Sequence, residues 1–327
     1  MADLTTTYMG MNLRSPLIAG SSGLTNSLKN IEELDRQGIG AIVLKSLFEE
    51  QIRHEAQALL NHQEYPGYPE AFDYIKNYTE INAVDKYLNL IREAKNTVSV
   101  PIIASINCFS PGSWTGFATQ LQEAGADAIE LNIFILPSDP FRSGEENEKR
   151  YFEIVSQVLQ KVNIPVAVKL SWYFSGLAKT FTQLSWTGIK GMVLFNRFYS
   201  PDIDLDELDV TPAFVFSDPS ELHMPLRWIA MLSDKLHCDI AGSTGVHNGE
   251  NALKLLLAGA KAVQVASVLY KYGLSRVASL NEEINDWLDA KGYKSVSEII
   301  GKLSYHRAEN PAAYERMQFM RYYSGIE

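Results

Sequence analysis

The chain has 327 residues, 46% of them hydrophobic and 21% charged, which is enough for one large buried core and more than a small module needs. A net charge of −10 excludes the basic footprint of a nucleic-acid binder. Cys108 and Cys238 are the two cysteines, each in or beside an apolar run, which excludes a disulfide framework, and no apolar run approaches the roughly 18 residues of a membrane span. The start, Met1-Ala2-Asp3-Leu4, lacks the basic and apolar regions of a signal peptide, so the expected location is a reducing cytoplasm.

In chain order, an apolar strand over 17–20 ends in Ser21-Ser22-Gly23, and a helix over 28–36 is closed by Gly38, giving one β-loop-α unit. The second strand, 41–44, delivers Lys45 at its C-terminal end. From 49 to 74 no regular period persists. Asn61, Pro66, Gly67 and Pro69 mark an irregular excursion there, the kind of long loop that often carries function. A helix at 82–97, a strand at 101–106 and a helix at 115–124 follow, and the strand at 128–131 ends at Asn132. After a helix at 150–161, the strand at 165–168 ends at Lys169, and the strand at 191–195 ends at Asn196. A second long insertion, 200–225, is acidic at Asp202, Asp204, Asp206, Glu207 and Asp209 and leads into a helix at 225–236.

The stretch 239–267 carries the strongest local signal. A short strand at 238–241 runs into Gly242-Ser243-Thr244-Gly245-Val246, two glycines and two hydroxyls where the backbone must turn and can aim N–H groups at an anion. Asn248 caps a helix with Ala252, Leu255, Leu256 and Ala258 at helical spacing, and Gly259 ends it. The strand 262–265 then opens a further loop at Ala266-Ser267. About eight strands alternating with helices predict an α/β fold, a (β/α)8 TIM barrel of parallel strands with long loops at the C-terminal face and extra C-terminal helices. A doubly wound open sheet is the competitor, but no G-x-G-x-x-G follows the first strand. With no linker or repeat, residues 1–327 form one expected domain. The stretch 277–327 reads as one or two helices and a polar, aromatic tail suited to packing or subunit contact.

In such a barrel the active site lies at the C-terminal strand ends, here Ser21, Lys45, Asn107, Asn132, Lys169, Asn196, Ser243 and Ser267. Each lysine alone also fits a structural ion pair with a neighbouring carboxylate. Lys169 could equally serve as the Schiff-base nucleophile of a lyase or aldolase, with a phosphorylated substrate in the 242–245 turn. The six histidines show no metal-ligand spacing, so no metal is expected.

The quoted segments resemble soluble, FMN-dependent dihydroorotate dehydrogenases over nearly the whole chain. SPLIAGSSG is similar to their first strand and loop, GAIVLKS to the lysine strand, ELN at 130–132 to the catalytic strand, and PVAVKLSWYF to the second lysine. IAGSTGVHNGENALKLLLAGAKAVQVASVLYKYG resembles the phosphate block, and KGYKSVSEIIGKL the family's ending. The resemblance implies FMN, oxidation of dihydroorotate to orotate in pyrimidine biosynthesis or a related CH–CH oxidation, a homodimer, and an electron acceptor or partner left unspecified. It implies that Lys45 and Lys169 contact FMN and that Asn61, Asn132 and Asn196 face the substrate, with Lys45 beside them. Gly245, Val246 and Ser267 would hold phosphate, with Ser21, Gly242, Ser243, Thr244 and Ala266 completing the cofactor site and Asn196 reaching both ligands. One segment departs from the pattern. Where the family continues with a polar turn bearing a Cys or Ser base, this chain reads Ile133-Phe134-Ile135-Leu136-Pro137-Ser138-Asp139. Ser138 or Asp139 swung into place, Cys108 from the neighbouring strand, or a different substrate would each account for it. A flavin-binding protein with little turnover is the remaining reading. Ser217-Asp218-Pro219-Ser220-Glu221 likewise stands where the family has a glycine-rich run.

Overall fold

The computed structural model describes residues 1–48, 69–108, 111–197 and 200–315. The chain enters as an antiparallel hairpin, β1 (Thr6–Tyr8) and β2 (Met11–Leu13), turned by Met9 and Gly10 at φ 54° and 79°. Barrel strands follow as β3 (Leu17–Ala19), β4 (Ala41–Val43) with a short continuation β5 (Leu47–Phe48), β6 (Ile102–Asn107), β7 (Ala128–Asn132), β8 (Val166–Leu170) and β9 (Gly191–Leu194). A surface hairpin, β10 (Pro201–Asp204) and β11 (Asp209–Pro212), precedes the last two barrel strands, β12 (Asp239–Ser243) and β13 (Ala262–Val265). The barrel strands pair in parallel in the order β3, β4, β6, β7, β8, β9, β12, β13. The pairing of Val263 with Leu17 returns the ring to its start.

The order of alternation predicts this barrel; the N-terminal hairpin is an addition that the sequence reading did not assign. Its purpose is visible in the packing. Tyr8, Met9 and Leu13 are buried against Ile18, Ala41, Val43, Ile103, Ala128, Ala167, Val193, Ala241 and Ala262. Five alanines in that layer leave room for the hairpin to close the bottom of the barrel. Gly191 is needed for the same reason, since a Cβ there would lie 2.7 Å from the Tyr8 hydroxyl.

The helices are α1 (Leu28–Arg36), α2 (Pro69–Thr97), α3 (Pro111–Glu123), α4 (Gly144–Leu159), α5 (Leu177–Ser185), α6 (His223–Leu232), α7 (Gly249–Ala258), α8 (Ser267–Tyr272) and α9 (Arg276–Lys291). The first has the expected bounds and buries Ile31 and Leu34. Helix α2 begins at 69 rather than 82, so 69–74 of the expected irregular stretch are helical, and its remainder lies outside the described residues. Helix α4 begins at Gly144 rather than at 150, because Ser143 and Glu146 form a capping box: Ser143 Oγ accepts from Glu146 N at 3.2 Å, and Ser143 N donates to Glu146 Oε2 at 2.7 Å. The expected loop at Ser267 is instead the first turn of α8. Burial of Val268 and Leu269 draws it into the core, and Leu269 N and Tyr270 N both donate to Ala266 O. Asn248 caps α7 as predicted, accepting from Asn251 N at 2.8 Å, and Gly259 ends it at φ 122°. No helix among the described residues is long and apolar enough to cross a membrane.

Candidate functional site

Strand side chains alternate faces, so two residues beyond each inward alanine the chain again points into the barrel. Ala128, Ala167, Ala241 and Ala262 thus predict inward positions at Glu130, Lys169, Ser243 and Gln264. The contacts bear this out for three of them. Lys169 Nζ on β8 donates to Gln264 Oε1 on β13 at 2.8 Å, and Gln264 Nε2 donates to Glu130 Oε2 on β7 at 2.5 Å. β13 neighbours neither β7 nor β8, so both bonds cross the lumen. Lys169 Nζ also lies 3.9 Å from Glu130 Oε1. Glu130, Gln264 and Lys169 are 1%, 3% and 7% exposed. A buried charge without a partner is costly, and here each charge has one.

Above this trio lies a cavity of about 450 Å³ at the C-terminal mouth. Gly20, Ser21, Lys169, Asn196 and Gln264 line its floor side, and Ser243, Thr244, Gly245, Val246, Ala266 and Ser267 line the turns after β12 and β13. Thr244 and Gly245 take φ 81° and 77°, a left-handed pair that turns the backbone sharply after the strand. Gly245 is sterically required: a Cβ there would sit 2.4 Å from Leu222 N. Thr244 Oγ1 donates to Phe195 O at 3.2 Å, which ties this turn to the end of β9. The insertion before α6 closes over the far side. Ser217 N donates to Ser267 Oγ at 3.0 Å, Ser217 Oγ lies 3.1 Å from His247 Nε2, and Lys271 Nζ donates to Ser217 O at 3.2 Å. Burial and the Lys271 cation hold the His247 imidazole below its ordinary pKa. Arg197, also in the lining, is fixed by Glu221 at 2.9 Å.

Asn132 and Asn196 form a second pair at the mouth. Asn196 Nδ2 donates to Asn132 Oδ1 at 2.9 Å, and Asn132 stands beside Lys169 in strand register. Ser21 leads in another direction: its Oγ is 3.0 Å from Ser46 Oγ, which is 2.7 Å from Ser105 Oγ.

The sequence-predicted residues therefore divide. Ser21, Lys169, Asn196, Ser243, Thr244, Gly245, Val246, Ala266 and Ser267 line one cavity, and Asn132 is bonded to a lining residue. Gly242 does not line it; it faces outward, where a Cβ would meet Leu255 Cδ1 at 2.7 Å, so its smallness serves helix packing. Lys45 is half-buried between β4 and β5 and is not in the lining. Asn61 lies outside the described residues. Ser138 is exposed, with its N donating to Leu136 O at 2.8 Å, and Cys108 is buried in the apolar cluster; neither lines the cavity. Glu130 and Gln264 are the residues that strand-end reasoning missed. The small-residue alternation inside the strands carried the signal for both. Among the described residues no group of three His, Cys, Asp or Glu is placed to hold a metal ion.

Comparison with known proteins agrees with this geometry. The sequence model of the dihydroorotate dehydrogenase family matches residues 3–288. A chain of Thermoplasma volcanium named dihydroorotate dehydrogenase B (NAD(+)), catalytic subunit, is 25% identical over 92% of this chain and 98% of its own length. Its counterpart of the same name in Thermoplasma acidophilum is 26% identical over 92% of this chain and 99% of its own. An Aeropyrum pernix chain provisionally named dihydroorotate dehydrogenase A (fumarate) is 28% identical over 94% and 98%. The match spans the barrel, the strand-end lysine and both turns of the cavity, and the chain belongs to the dihydroorotate dehydrogenase family.

Proposed function

We propose that the chain is an FMN-dependent oxidoreductase acting on a CH–CH bond of a dihydroorotate-like substrate, with FMN in the cavity between Lys169 and the 244–246 turn. The observation that carries this reading is the convergence of a buried lysine and a left-handed Thr244-Gly245 turn on one cavity of about 450 Å³, within the usual size range of ligand pockets. The residues fit the group. The turn would hold a phosphate through its backbone N–H groups, with Ser267 in the same lining, and Lys169 would supply a cation to the ring. When bound, FMN supplies hydride acceptance and gathers negative charge at its pyrimidine edge. Lys169 stabilises that charge, and the bonds to Gln264 and Glu130 hold its Nζ in place. Asn132 and Asn196, joined to each other, retain donors and acceptors for a planar substrate with amide edges. Lys45 and Asn61 complete the residue set that family resemblance assigns to these ligands, and 1–327 is read as one domain of a homodimer.

The Schiff-base reading is weaker here. A nucleophilic amine needs its lone pair free, and Lys169 Nζ is engaged with Gln264 and Glu130. The two readings separate on one preparation. The expected outcome is a yellow protein that takes up one FMN per chain. A colourless protein that refuses added FMN, with borohydride and a carbonyl substrate fixing mass on Lys169, would establish the other.

A further inference from the structure

A second recess lies outside the flavin cavity, about 390 Å³ in volume, between the loops that follow β7 and β8 and the first turns of α4. Ile135, Trp172, Tyr173 and Phe174 provide apolar walls, and Asn147 and Tyr151 face it from one side of the helix at i, i+4 spacing. Trp172 packs edge-on to Phe195 at 5.9 Å, and Tyr151 packs against Phe174 at 5.0 Å, so the walls are braced by neighbouring rings.

Two polar groups in this recess have unspent capacity. The Asn147 side chain, on a residue 7% exposed, has no hydrogen-bond partner among the described residues. Tyr151 Oη, on a residue 1% exposed, lies near the Ile135 backbone and the Ser171 hydroxyl without a well-formed hydrogen bond. Tyr151 Oη is fully enclosed, where an open polar group costs about 1–3 kcal/mol, whereas the Asn147 amide is not among the enclosed atoms and can take a partner from the recess. An amide offers a donor and an acceptor side by side. Among the described residues Glu148 is the only charged one in the lining, and its carboxylate accepts from Thr180 Oγ1 at 3.0 Å, so none of them offers an anion a cation.

We propose that this recess is a second binding site, for a neutral, planar heteroaromatic ring with an adjacent donor and acceptor, such as a lactam. The ring stacks among Trp172, Tyr173 and Phe174 while its amide edge pairs with Asn147. The recess shares the mouth with the substrate pair: Ile135 is three residues from Asn132 and Trp172 three from Lys169, at most about 11 Å of chain in each case. The site stands independently of the flavin reading, because none of its residues lines the flavin cavity.

The probe is 2-quinolinone, titrated calorimetrically into the full-length protein, with FMN content read from absorbance on the same sample. Binding is expected in the wild type, weakened at least tenfold in Asn147→Leu and several-fold in Tyr151→Phe, with FMN content unchanged in both. The planar anion 1-naphthoate is expected to bind at least tenfold more weakly than the quinolinone. Absence of quinolinone binding, equal affinity in both variants, or preference for the anion would overturn the site. If Asn147→Leu does not fold, Tyr151→Phe alone decides. A protein that takes up no added FMN yet binds the probe would overturn the flavin reading and leave this one standing.

Discussion

Lys169 is informative because two features that the sequence left as alternatives coexist at it. It is ion-paired with a neighbouring carboxylate, and it lines the cavity. The lysine was legible because it closes an apolar strand. Glu130 and Gln264 were not, because an acid and an amide inside apolar strands are weighed against burial until their inward register is known. Once Ala128 and Ala262 are placed against the plugging hairpin, both side chains must enter the lumen, and a charged partner becomes obligatory. Gln264 is the link between the charges, so Gln264→Leu should leave Glu130 without its only hydrogen-bond donor among the described residues. A loss of about 3 kcal/mol is expected in urea unfolding, as for other broken buried charge contacts. A loss below about 1 kcal/mol would mean that water or a rearranged lysine satisfies Glu130.

At the scale of elements, two turns decide the chemistry. The 244–246 turn was legible from its glycines and hydroxyls, and its backbone explains why Gly245 in particular cannot change. A Cβ at φ 77° would be strained and would also strike Leu222 N. Gly245→Ala should therefore lose at least about 1 kcal/mol of stability and at least tenfold in FMN affinity, measured by urea unfolding and by titration of the apoprotein. The turn after β7 tells a different story. Ile133 is buried, Phe134 and Leu136 are exposed, and Ile135 joins the second recess, so no group between 133 and 136 can accept a proton. Anaerobic mixing with dihydroorotate should bleach the flavin about 10²–10⁴ times more slowly than a base-assisted reaction would. Fast stoichiometric bleaching lost in Ser138→Ala would identify an exposed serine as the base after all, and loss in Cys108→Ala would move the base to β6. Helix starts were the least legible feature of all, because α4 is begun by a capping box ahead of its apolar period and α8 by burial of two residues after a strand.

For the whole molecule, the alternation of strands and helices was enough to predict the closed barrel, since each β-loop-α unit is written locally. What lies outside that repeat was harder. The N-terminal plug has three-residue strands, too short for periodicity to register, and the β10–β11 hairpin sits inside an acidic insertion that reads as a solvated loop. That hairpin exposes Ile203, Leu205, Leu208 and Val210 at 64%, 82%, 83% and 63%, an apolar surface that a lone soluble chain seldom presents. It supports subunit contact there. Ile203→Asp combined with Val210→Asp should convert the proposed dimer to a monomer in sedimentation analysis while FMN remains bound; an unchanged dimer would assign the contact to another face.

The barrel, the charged trio and the phosphate turn together make one claim, that a flavin sits with its electron-rich edge against Lys169. The reduction potential of bound FMN in wild type and in Lys169→Ala measures it most directly. Removing the cation should lower the potential by tens of millivolts, where about 30 mV corresponds to tenfold in a two-electron equilibrium. A folded Lys169→Ala protein that binds FMN with an unchanged potential would contradict the account.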